Sequence, residues 1–286
     1  MTNIEQLRER AKKIKLFATD LDGTLLDSKH LLREETQKAL VSLSEKGIIV
    51  AVATGRALSS IPETILSLKG LKYLITANGA TLYLNDTKEL IYEKFLSVEA
   101  LDLVIDLFND PDVMCEVFWG GTPYVELSKY NDAMNYGIPK WFSSYFFDSR
   151  KPLEDFYSTV RNHENVIENI NFIFGNETVK NRIYDLLEKN TDHYSLTSSF
   201  HFNFEIGGIG VSKSSAVDFL AKREGISQDE TICFGDNDND VTMIEYAGIG
   251  IATANAVPRA ISAADYITED NDSEGVASAL KILGLV

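Results

Sequence analysis

Short, almost uninterrupted runs of apolar residues recur along this chain, and most of them end abruptly in Gly, Asp or Asn. The runs cover residues 15–20, 48–54, 73–78, 231–236 and 248–252. Apolar runs of this length, bounded by turn residues, are typical of strands that are buried on both faces, as in a parallel sheet. Helices are predicted between the runs and ahead of the first one, at 4–14, 33–46, 57–69, 212–225 and 239–247. Alternating strands and helices predict an α/β fold with a doubly wound, Rossmann-like parallel sheet.

The middle of the chain has a different pattern. Amphipathic helices are predicted near 101–108 and 179–187, and strand-like pieces lie at Met114–Phe118, Tyr124–Leu127, Asn169–Phe174 and His201–Ile206. Mixed helices and alternating strands indicate an α+β module that is inserted into the sheet domain. We therefore predict a discontinuous first domain, 1–82 plus 207–286, and an inserted domain, 83–206.

Composition and charge narrow the class of protein. The 27 Lys+Arg and 43 Asp+Glu residues give a net charge of −16, which disfavours sequence-independent binding to nucleic acid. The sequence has neither a basic helical face nor an apolar run of about 20 residues, so a membrane protein is not expected. The two cysteines, Cys115 and Cys233, form neither a disulfide framework nor a zinc-ligand pattern, and the amino-terminal segment does not have the pattern of a signal peptide. A cytoplasmic protein is expected, and its oligomeric state stays open.

Carboxylates follow two of the predicted strands. Asp20 and Asp22 come directly after the first run, and 236–240 contains three further aspartates after the fourth. Ligands of open α/β sheets bind at the carboxyl ends of strands, and oxygen ligands without Cys or His suit Mg²⁺. Neither segment fits an EF-hand, because the glycine and glutamate of that calcium loop are missing from the required positions. The segment 207–214 nearly fits a P-loop, but Ser212 stands where the second glycine belongs.

Four motifs in order resemble those of the haloacid dehalogenase-like superfamily. They are Asp20-Leu-Asp-Gly-Thr24, Thr54-Gly-Arg56, Lys213 at the start of a helix, and Gly235-Asp-Asn-Asp-Asn-Asp240. Three further segments are similar to its Cof-type branch, namely Asn78-Gly-Ala80, Asn255-Ala256 and Glu274-Gly-Val276. Members of that branch are phosphatases with a large α/β cap between the second and third motifs, where this chain has its insert. The departures are Ser214, where the family usually has Gly, and an extra helix before the first strand.

The resemblance implies a Mg²⁺-dependent phosphatase that hydrolyses a small phosphorylated metabolite through an aspartyl-phosphate. The substrate would be a sugar phosphate or a phosphorylated cofactor. Asp20 would be the nucleophile and Asp22 the general acid and base. Thr54 would hydrogen-bond a phosphoryl oxygen, and Lys213 would neutralise charge on the transferring group. Without the flanking motifs, Thr54 would be interpreted as a helix N-cap and Lys213 as a solvated surface residue.

The metal and substrate contacts are also implied by the resemblance. The Asp20 and Asp236 carboxylates and the Asp22 carbonyl would hold Mg²⁺, and Asp240 would orient a metal-bound water or pair with Lys213. The proposed phosphate or substrate contacts are Gly55, Arg56, Asn78, Asn239 and Asn255, although the amides equally fit turn positions. The histidines have no metal-ligand spacing and are assigned no role. The aromatic run 141–147 is interpreted as core in preference to a substrate-stacking surface.

Other functions fit parts of this pattern. A sugar phosphomutase of related architecture would return the phosphoryl group to a sugar, and nothing in the sequence excludes it. A non-catalytic sensor of phosphorylated metabolites is disfavoured, because a binder does not need the full set of Asp20, Asp22, Lys213 and Asp236. A dehalogenase is disfavoured because that chemistry needs neither Asp22 nor a metal cluster.

Overall fold

The computed structural model describes residues 4–286, which divide into two compact units. The first unit runs from the amino-terminal helix to Gly55 and continues through Ile61–Tyr92 and Ser212–Val286. The second unit consists of Arg56–Ser60 and Glu93–Val211. The chain therefore passes out of the first unit and returns to it, so that the second unit is an insertion.

The first unit is built on an eight-stranded sheet. Its strands are β1 (Leu16–Thr19), β2 (Ile49–Ala53), β3 (Leu71–Thr76), β4 (Thr81–Leu84), β5 (Leu90–Glu93), β12 (Thr231–Gly235), β13 (Ile249–Ala252) and β14 (Tyr266–Ile267). They lie in the order β14-β13-β12-β1-β2-β3-β4-β5. The strands from β14 to β3 are parallel, and β4 is antiparallel to β3. The predicted α/β fold with a parallel sheet is confirmed.

Twelve α-helices accompany the strands in the described chain. They are α1 (Ile4–Ala11), α2 (Glu34–Glu45), α3 (Glu63–Leu66), α4 (Val98–Val104), α5 (Leu127–Asn131), α6 (Ser143–Ser149), α7 (Phe156–Asn162), α8 (Glu177–Glu188), α9 (Lys213–Arg223), α10 (Val241–Tyr246), α11 (Pro258–Ala263) and α12 (Gly275–Leu283). Leu16 and Ala18 of β1 pack with Val217 and Leu220 of α9. Since successive side chains of a strand point to opposite faces, Phe17 points to the other face, where it contacts the Phe234 ring. The central strand is thus buried on both sides.

The second unit is built on a six-stranded sheet of a different kind. Its strands are β6 (Val113–Trp119), β7 (Thr122–Glu126), β8 (Lys151–Leu153), β9 (Asn169–Phe174), β10 (Tyr194–Thr197) and β11 (Asn203–Gly208), in the order β10-β11-β9-β6-β7-β8. Every neighbouring pair is antiparallel except β7 and β8. One face packs against α4, α7 and α8, and the other carries an aromatic cluster that includes Phe142, Phe146 and Phe202. Trp141, from the same aromatic run, is 57% exposed.

The unit boundaries differ from those expected for the domains. Residues 83–92 belong to the first unit, because β4 and β5 extend its sheet. Residues 207–211 belong to the second unit, because β11 continues to Gly208. Residues 56–60 also belong to the second unit, where the Ser59 amide donates to the Gly121 carbonyl at 2.9 Å. No helix among residues 4–286 is long and apolar enough to cross a membrane.

Candidate active site

Two carboxylates meet because their strands are neighbours. Asp20 directly follows β1, and Asp236 directly follows β12. The two strands are parallel and in register, and the Asp20 amide donates to the Phe234 carbonyl at 3.0 Å. Asp20, Asp236 and Asp240 each offer one carboxylate oxygen, and these oxygens all lie within 4.8 Å of one another. The segments 16–20 and 231–240, far apart in the chain, therefore build one acidic cluster.

Lys213 is buried inside this cluster. Its Nζ donates to Asp20 Oδ1 and to Asp240 Oδ1, at 2.6 Å in both cases, and the residue is 0% exposed. Lys213 is the first residue of α9, whose N-cap Ser212 accepts a hydrogen bond from the Ser215 amide through its side chain. The reading of Lys213 as a solvated surface lysine is therefore wrong, because the helix start directs its side chain into the acidic cluster.

Asp240 has its oxygens engaged by protein groups. Oδ1 accepts from Lys213, and Oδ2 accepts from the backbone N–H groups of Asp236 and Asn237, both at 3.0 Å. A Cβ at Gly235 would collide with the Asp240 side chain, so glycine is required there. These contacts favour the role of a lysine partner over that of a direct metal ligand.

The cluster carries an excess of negative charge. Burial raises the pKa of Asp20 to about 7; Lys213 opposes this shift, while Asp240 and Asp22 add to it. The pKa of Asp236 is also raised, first by burial and then by Asp20 and Asp240. Burial alone would lower the pKa of Lys213, but the two contacting carboxylates raise it above its usual range. Lysine therefore stays charged, and a further cation would relieve the remaining repulsion among the carboxylates.

The buried acidic group could hold a divalent metal ion. Its donors are hard carboxylate oxygens, as Mg²⁺ prefers, and no thiol or imidazole lies in the group of Asp20, Asp236 and Asp240. Thr24 Oγ1 donates to Asp236 Oδ1 at 2.7 Å, which fixes the orientation of that carboxylate. The residues present therefore fit a magnesium ion.

Asp22 lies beside the cluster but has a different partner. Its Oδ1 lies 3.1 Å from Nδ1 of His30, and its side chain is 23% exposed. The Asp22 carboxylate is thus more accessible than that of Asp20, which is 8% exposed. Gly23 follows with φ +81, and a Cβ there would collide with the Asp236 carboxylate. Only glycine lets this loop approach Asp236 so closely.

Thr54, Asn78 and Asn239 are linked to one another. Thr54 follows β2, is 1% exposed, and its carbonyl accepts from the Asn78 amide at 3.0 Å. Asn239 Nδ2 donates to Asn78 Oδ1, also at 3.0 Å. Asn78 has a left-handed backbone, with φ 56, and is 4% exposed. These amides hold the loops after β2, β3 and β12 together, so the turn interpretation has direct support.

The remaining predicted contacts have other partners. Gly55 is the last residue of the first segment of the first unit, and Arg56 is the first residue of the second unit. The Arg56 guanidinium donates to the Ser60 carbonyl at 2.8 Å and lies 4.2 Å from the centroid of the Tyr145 ring. Asn255 Nδ2 donates to the Gly23 carbonyl at 2.8 Å. Asn255 thus supports the loop that contains Asp22, while contact of Gly55 and Arg56 with phosphate stays a prediction.

Sequence reasoning missed two residues of this site. Thr24 belongs to the first motif, but its bond to Asp236 does not follow from the sequence. His30 was assigned no role, although it contacts Asp22. The signal that could have found His30 is its short distance along the chain from Asp22, but the loop geometry that joins them is not visible in the sequence.

Comparison with known proteins agrees with this geometry. Residues 17–280 match the family model of the haloacid dehalogenase-like hydrolases. The chain is 30% identical to the 5-amino-6-(5-phospho-D-ribitylamino)uracil phosphatase YcsE of Bacillus subtilis, over 94% of this chain and 95% of that protein. It is 31% identical to the phosphatase YwpJ of the same organism, over 94% of this chain and 100% of that protein.

A solved structure has the same fold. A haloacid dehalogenase-like hydrolase from B. subtilis superposes with a TM-score of 0.84 at 28% identity, covering 94% of this chain and 99% of that one. The match spans both units, and the family match extends from β1 into the last helix, α12. The resemblance found in the motifs is therefore confirmed over nearly the whole chain: this protein belongs to the haloacid dehalogenase-like hydrolases and is a phosphatase of their Cof-type branch.

Proposed function

We propose that this phosphatase hydrolyses monoesters of small phosphorylated metabolites with the help of Mg²⁺ and through an aspartyl-phosphate on Asp20. The observation that carries the proposal is the buried cluster of Asp20, Asp236 and Asp240 around Lys213. Three carboxylates against one lysine suit a cation and a phosphoryl group better than they suit a purely structural role. Perturbed, buried charges of this kind are concentrated at functional sites.

The first step is proposed to be attack by Asp20. A carboxylate oxygen of Asp20 forms a bond to phosphorus, and the bond from phosphorus to the leaving oxygen breaks. Lys213, at 2.6 Å from Asp20 Oδ1, keeps a positive charge beside the reacting group. Asp240 holds this lysine in place from the other side.

Magnesium is proposed to be held by the carboxylates of Asp20 and Asp236 and by the backbone carbonyl of Asp22. When bound, Mg²⁺ supplies positive charge that neutralises the phosphoryl oxygens. The support is the unbalanced charge of the cluster and the hydrogen bond from Thr24, which orients Asp236.

Asp22 is proposed as the general acid and base. It gives a proton to the leaving oxygen in the first step and takes one from the attacking water in the second. Its greater exposure, compared with Asp20, suits a group that must reach the leaving oxygen and water.

The second unit is proposed to be the cap that selects the substrate. The candidate catalytic groups Asp20, Asp22 and Lys213 belong to the first unit, whereas the second unit has a row of polar side chains across one face of its sheet. Glu116, Asn171 and Glu205 lie in register on β6, β9 and β11. Asn169 shares this face with Asn171, and its Oδ1 is buried without a partner among residues 4–286. Glu116, Asn171 and Glu205 are already hydrogen-bonded within the unit, so Asn169 Oδ1 is the acceptor that suits a hydroxyl or amine donor of a leaving group.

The substrate is best sought among phosphorylated sugars, polyols and cofactors. Several relatives are named as phosphatases of 5-amino-6-(5-phospho-D-ribitylamino)uracil, so that compound belongs in the panel. The test is release of inorganic phosphate from this panel and from p-nitrophenyl phosphate with Mg²⁺ present. Activity should disappear in excess EDTA and return with Mg²⁺. Transfer of the phosphoryl group to a second sugar hydroxyl, without release of phosphate, would instead indicate a mutase.

The metal role has a second measurement that does not depend on turnover. Mg²⁺ should raise the melting temperature of the wild type, because a ligand that binds only the folded state stabilises it. The Asp236→Asn variant should show a much smaller rise. An equal rise in both proteins would place the ion elsewhere.

The role of the second unit is tested by Asn169→Ala. We expect this variant to change the ratio of kcat/KM values among the metabolites while the rate on p-nitrophenyl phosphate stays near that of the wild type. Lys189→Ala, an exposed position of the same unit, is the matched control. Equal loss on every ester in a folded Asn169→Ala protein would mean that the unit takes part in catalysis itself.

A further inference from the structure

The loop after the first motif brings a histidine to the candidate acid and base. His30 Nδ1 lies 3.1 Å from Asp22 Oδ1, within hydrogen-bond distance. The side chains are 32% and 23% exposed, so both remain accessible to solvent. Neither the family motifs nor the acidic cluster requires this contact.

Asp27 builds the loop that presents His30. Asp27 is 6% exposed, and its Oδ1 accepts from the amides of Lys29 and Leu31, both at 2.9 Å. The Asp27 amide donates to the Leu31 carbonyl at 3.0 Å, and the His30 amide donates to the Asp27 carbonyl at 2.8 Å. Oδ2 of Asp27 accepts from Arg33 Nε at 3.2 Å. The loop is therefore held by its own hydrogen bonds and does not depend on the contact between His30 and Asp22.

His30 itself has an uncommon backbone conformation. Its φ is 60, in the left-handed region that side-chain-bearing residues seldom adopt. The hydrogen bonds of Asp27 impose this conformation and so determine where the imidazole lies. Such backbone outliers are concentrated at functional sites.

We propose that His30 is a positioning residue that holds the Asp22 carboxyl in the orientation from which it serves the leaving oxygen. This inference rests on the proposed role of Asp22. An imidazole nitrogen at hydrogen-bond distance from one carboxylate oxygen fixes the direction in which that carboxylate points. The contact at Oδ1 therefore limits rotation of the Asp22 carboxyl and leaves Oδ2 to serve the leaving oxygen.

The test compares esters that differ in their need for a proton. Phenyl phosphate has a poor leaving group, and p-nitrophenyl phosphate has a good one that departs with little protonation. His30→Gly removes the imidazole and accepts the left-handed backbone without strain. We expect its kcat/KM to fall about tenfold on phenyl phosphate and less than about twofold on p-nitrophenyl phosphate, because only the first ester depends on an oriented acid.

Two variants separate positioning from loop structure. His30→Asn keeps a polar group near the position of Nδ1 and tolerates a positive φ, so it should recover much of the lost rate on phenyl phosphate. Leu31→Ala is the matched control, because its side chain is 57% exposed while its backbone keeps both bonds to Asp27. It should behave as the wild type on both esters.

A double variant shows whether His30 acts through Asp22. Adding His30→Gly to Asp22→Asn should cause no further loss on phenyl phosphate, since the carboxyl that His30 orients is already gone. Equal losses on both esters in His30→Gly, or additive losses in the double variant, would overturn the inference. If Asp22→Asn itself shows no dependence on the leaving group, the proposed role of Asp22 fails; if only His30→Gly lacks it, the role of His30 fails alone.

Discussion

Each unit of this phosphatase buries charged side chains, but the two sets differ in balance. In the first unit, Asp20, Asp236 and Asp240 surround Lys213. In the second unit, Glu116 faces Arg150, whose Nε and Nη2 donate to the two carboxylate oxygens at 2.7 and 3.2 Å.

The pair in the second unit is saturated by its neighbours. Asn171 Nδ2 donates to Glu116 Oε2 at 2.8 Å, and the Arg150 guanidinium lies 4.7 Å from the centroid of the Tyr145 ring. Burial alone would lower the pKa of Arg150, but Glu116 raises it above its usual range. One cation and one anion with complete hydrogen bonding need nothing further.

This difference distinguishes buried charges that stabilise the fold from buried charges that take part in catalysis. Burying a charge is costly unless it is paired, so a balanced pair is self-sufficient within the fold. The excess of carboxylates around Lys213 weakens the folded state unless a cation is bound. We interpret this stored repulsion as the sign of function.

The largest effect is expected from Asp20→Asn. Turnover should fall by about four orders of magnitude, because an amide does not attack phosphorus as a carboxylate does. The melting temperature without metal should not fall, since the change removes one of the repelling buried charges. Phosphate release and thermal unfolding are measured on the same preparation. Loss of stability together with activity would mean that the acidic cluster is structural after all.

The opposite outcome is expected for Glu116→Ala. This change leaves Arg150 buried without its partner and should lower the free energy of unfolding by about 3–5 kcal/mol. The rate on p-nitrophenyl phosphate should stay near that of the wild type under native conditions. Urea unfolding and steady-state rates check the prediction, with the exposed Glu177→Ala as control. A folded variant that loses all activity would contradict a purely structural role for the pair.

A smaller, pH-dependent effect is expected at Glu168. This residue is 1% exposed, and burial raises the pKa of its carboxyl to about 7, although the Gly121 amide opposes the shift by donating to Oε1 at 2.7 Å. In the unfolded chain the carboxyl has its ordinary pKa of 4.5, so it loses its proton at lower pH than in the folded chain. The contribution of the Glu168 carboxyl to the free energy of unfolding is therefore fully present below about pH 4.5 and is lost as the pH rises towards 7.

Glu168→Gln should remove this loss of stability at high pH, because the glutamine side chain has no proton to release. Compared with the wild type, the variant should gain about 3 kcal/mol at pH 8 and only about 1 kcal/mol at pH 5. Thermal unfolding at the two pH values measures the difference, and activity on p-nitrophenyl phosphate should be unchanged. A change in that activity would show that unbalanced charge indicates chemistry in the second unit as well.

The fold could be predicted from the sequence where a strand is buried on both faces, because such a strand is a continuous run of apolar residues. Runs such as 48–54 became central parallel strands because they are apolar on both faces. β4 was missed although three of its four residues are buried. β5 was missed because all its residues are at least partly exposed, and β14 because it has only two residues. Both lie at the ends of the sheet, where one side of the strand has no neighbouring strand to demand an apolar sequence.

The candidate site was predictable where the chemistry lies in residue type. Asp20, Asp22, Lys213 and Asp236 are charged residues in short motifs, and the structure brings Asp20, Asp236 and Lys213 together. Asn255 illustrates the limit of such reasoning. The sequence allowed a phosphate contact or a turn; its bond to the Gly23 carbonyl supports the loop role, and the phosphate contact stays a prediction.

The sequence by itself determined the α/β class, the family, and the order of the acidic and basic motifs along the chain. Only the tertiary structure decided which charged side chains contact one another, because these contacts depend on strand order and on the direction of each side chain. The parallel pairing of β1 and β12 brings Asp20 to Asp236, and the start of α9 buries Lys213 between Asp20 and Asp240. The contact of His30 with Asp22 likewise follows from a loop held by Asp27. Hydrogen bonds and packing between residues distant in the chain bring the residues of separate motifs together into one site.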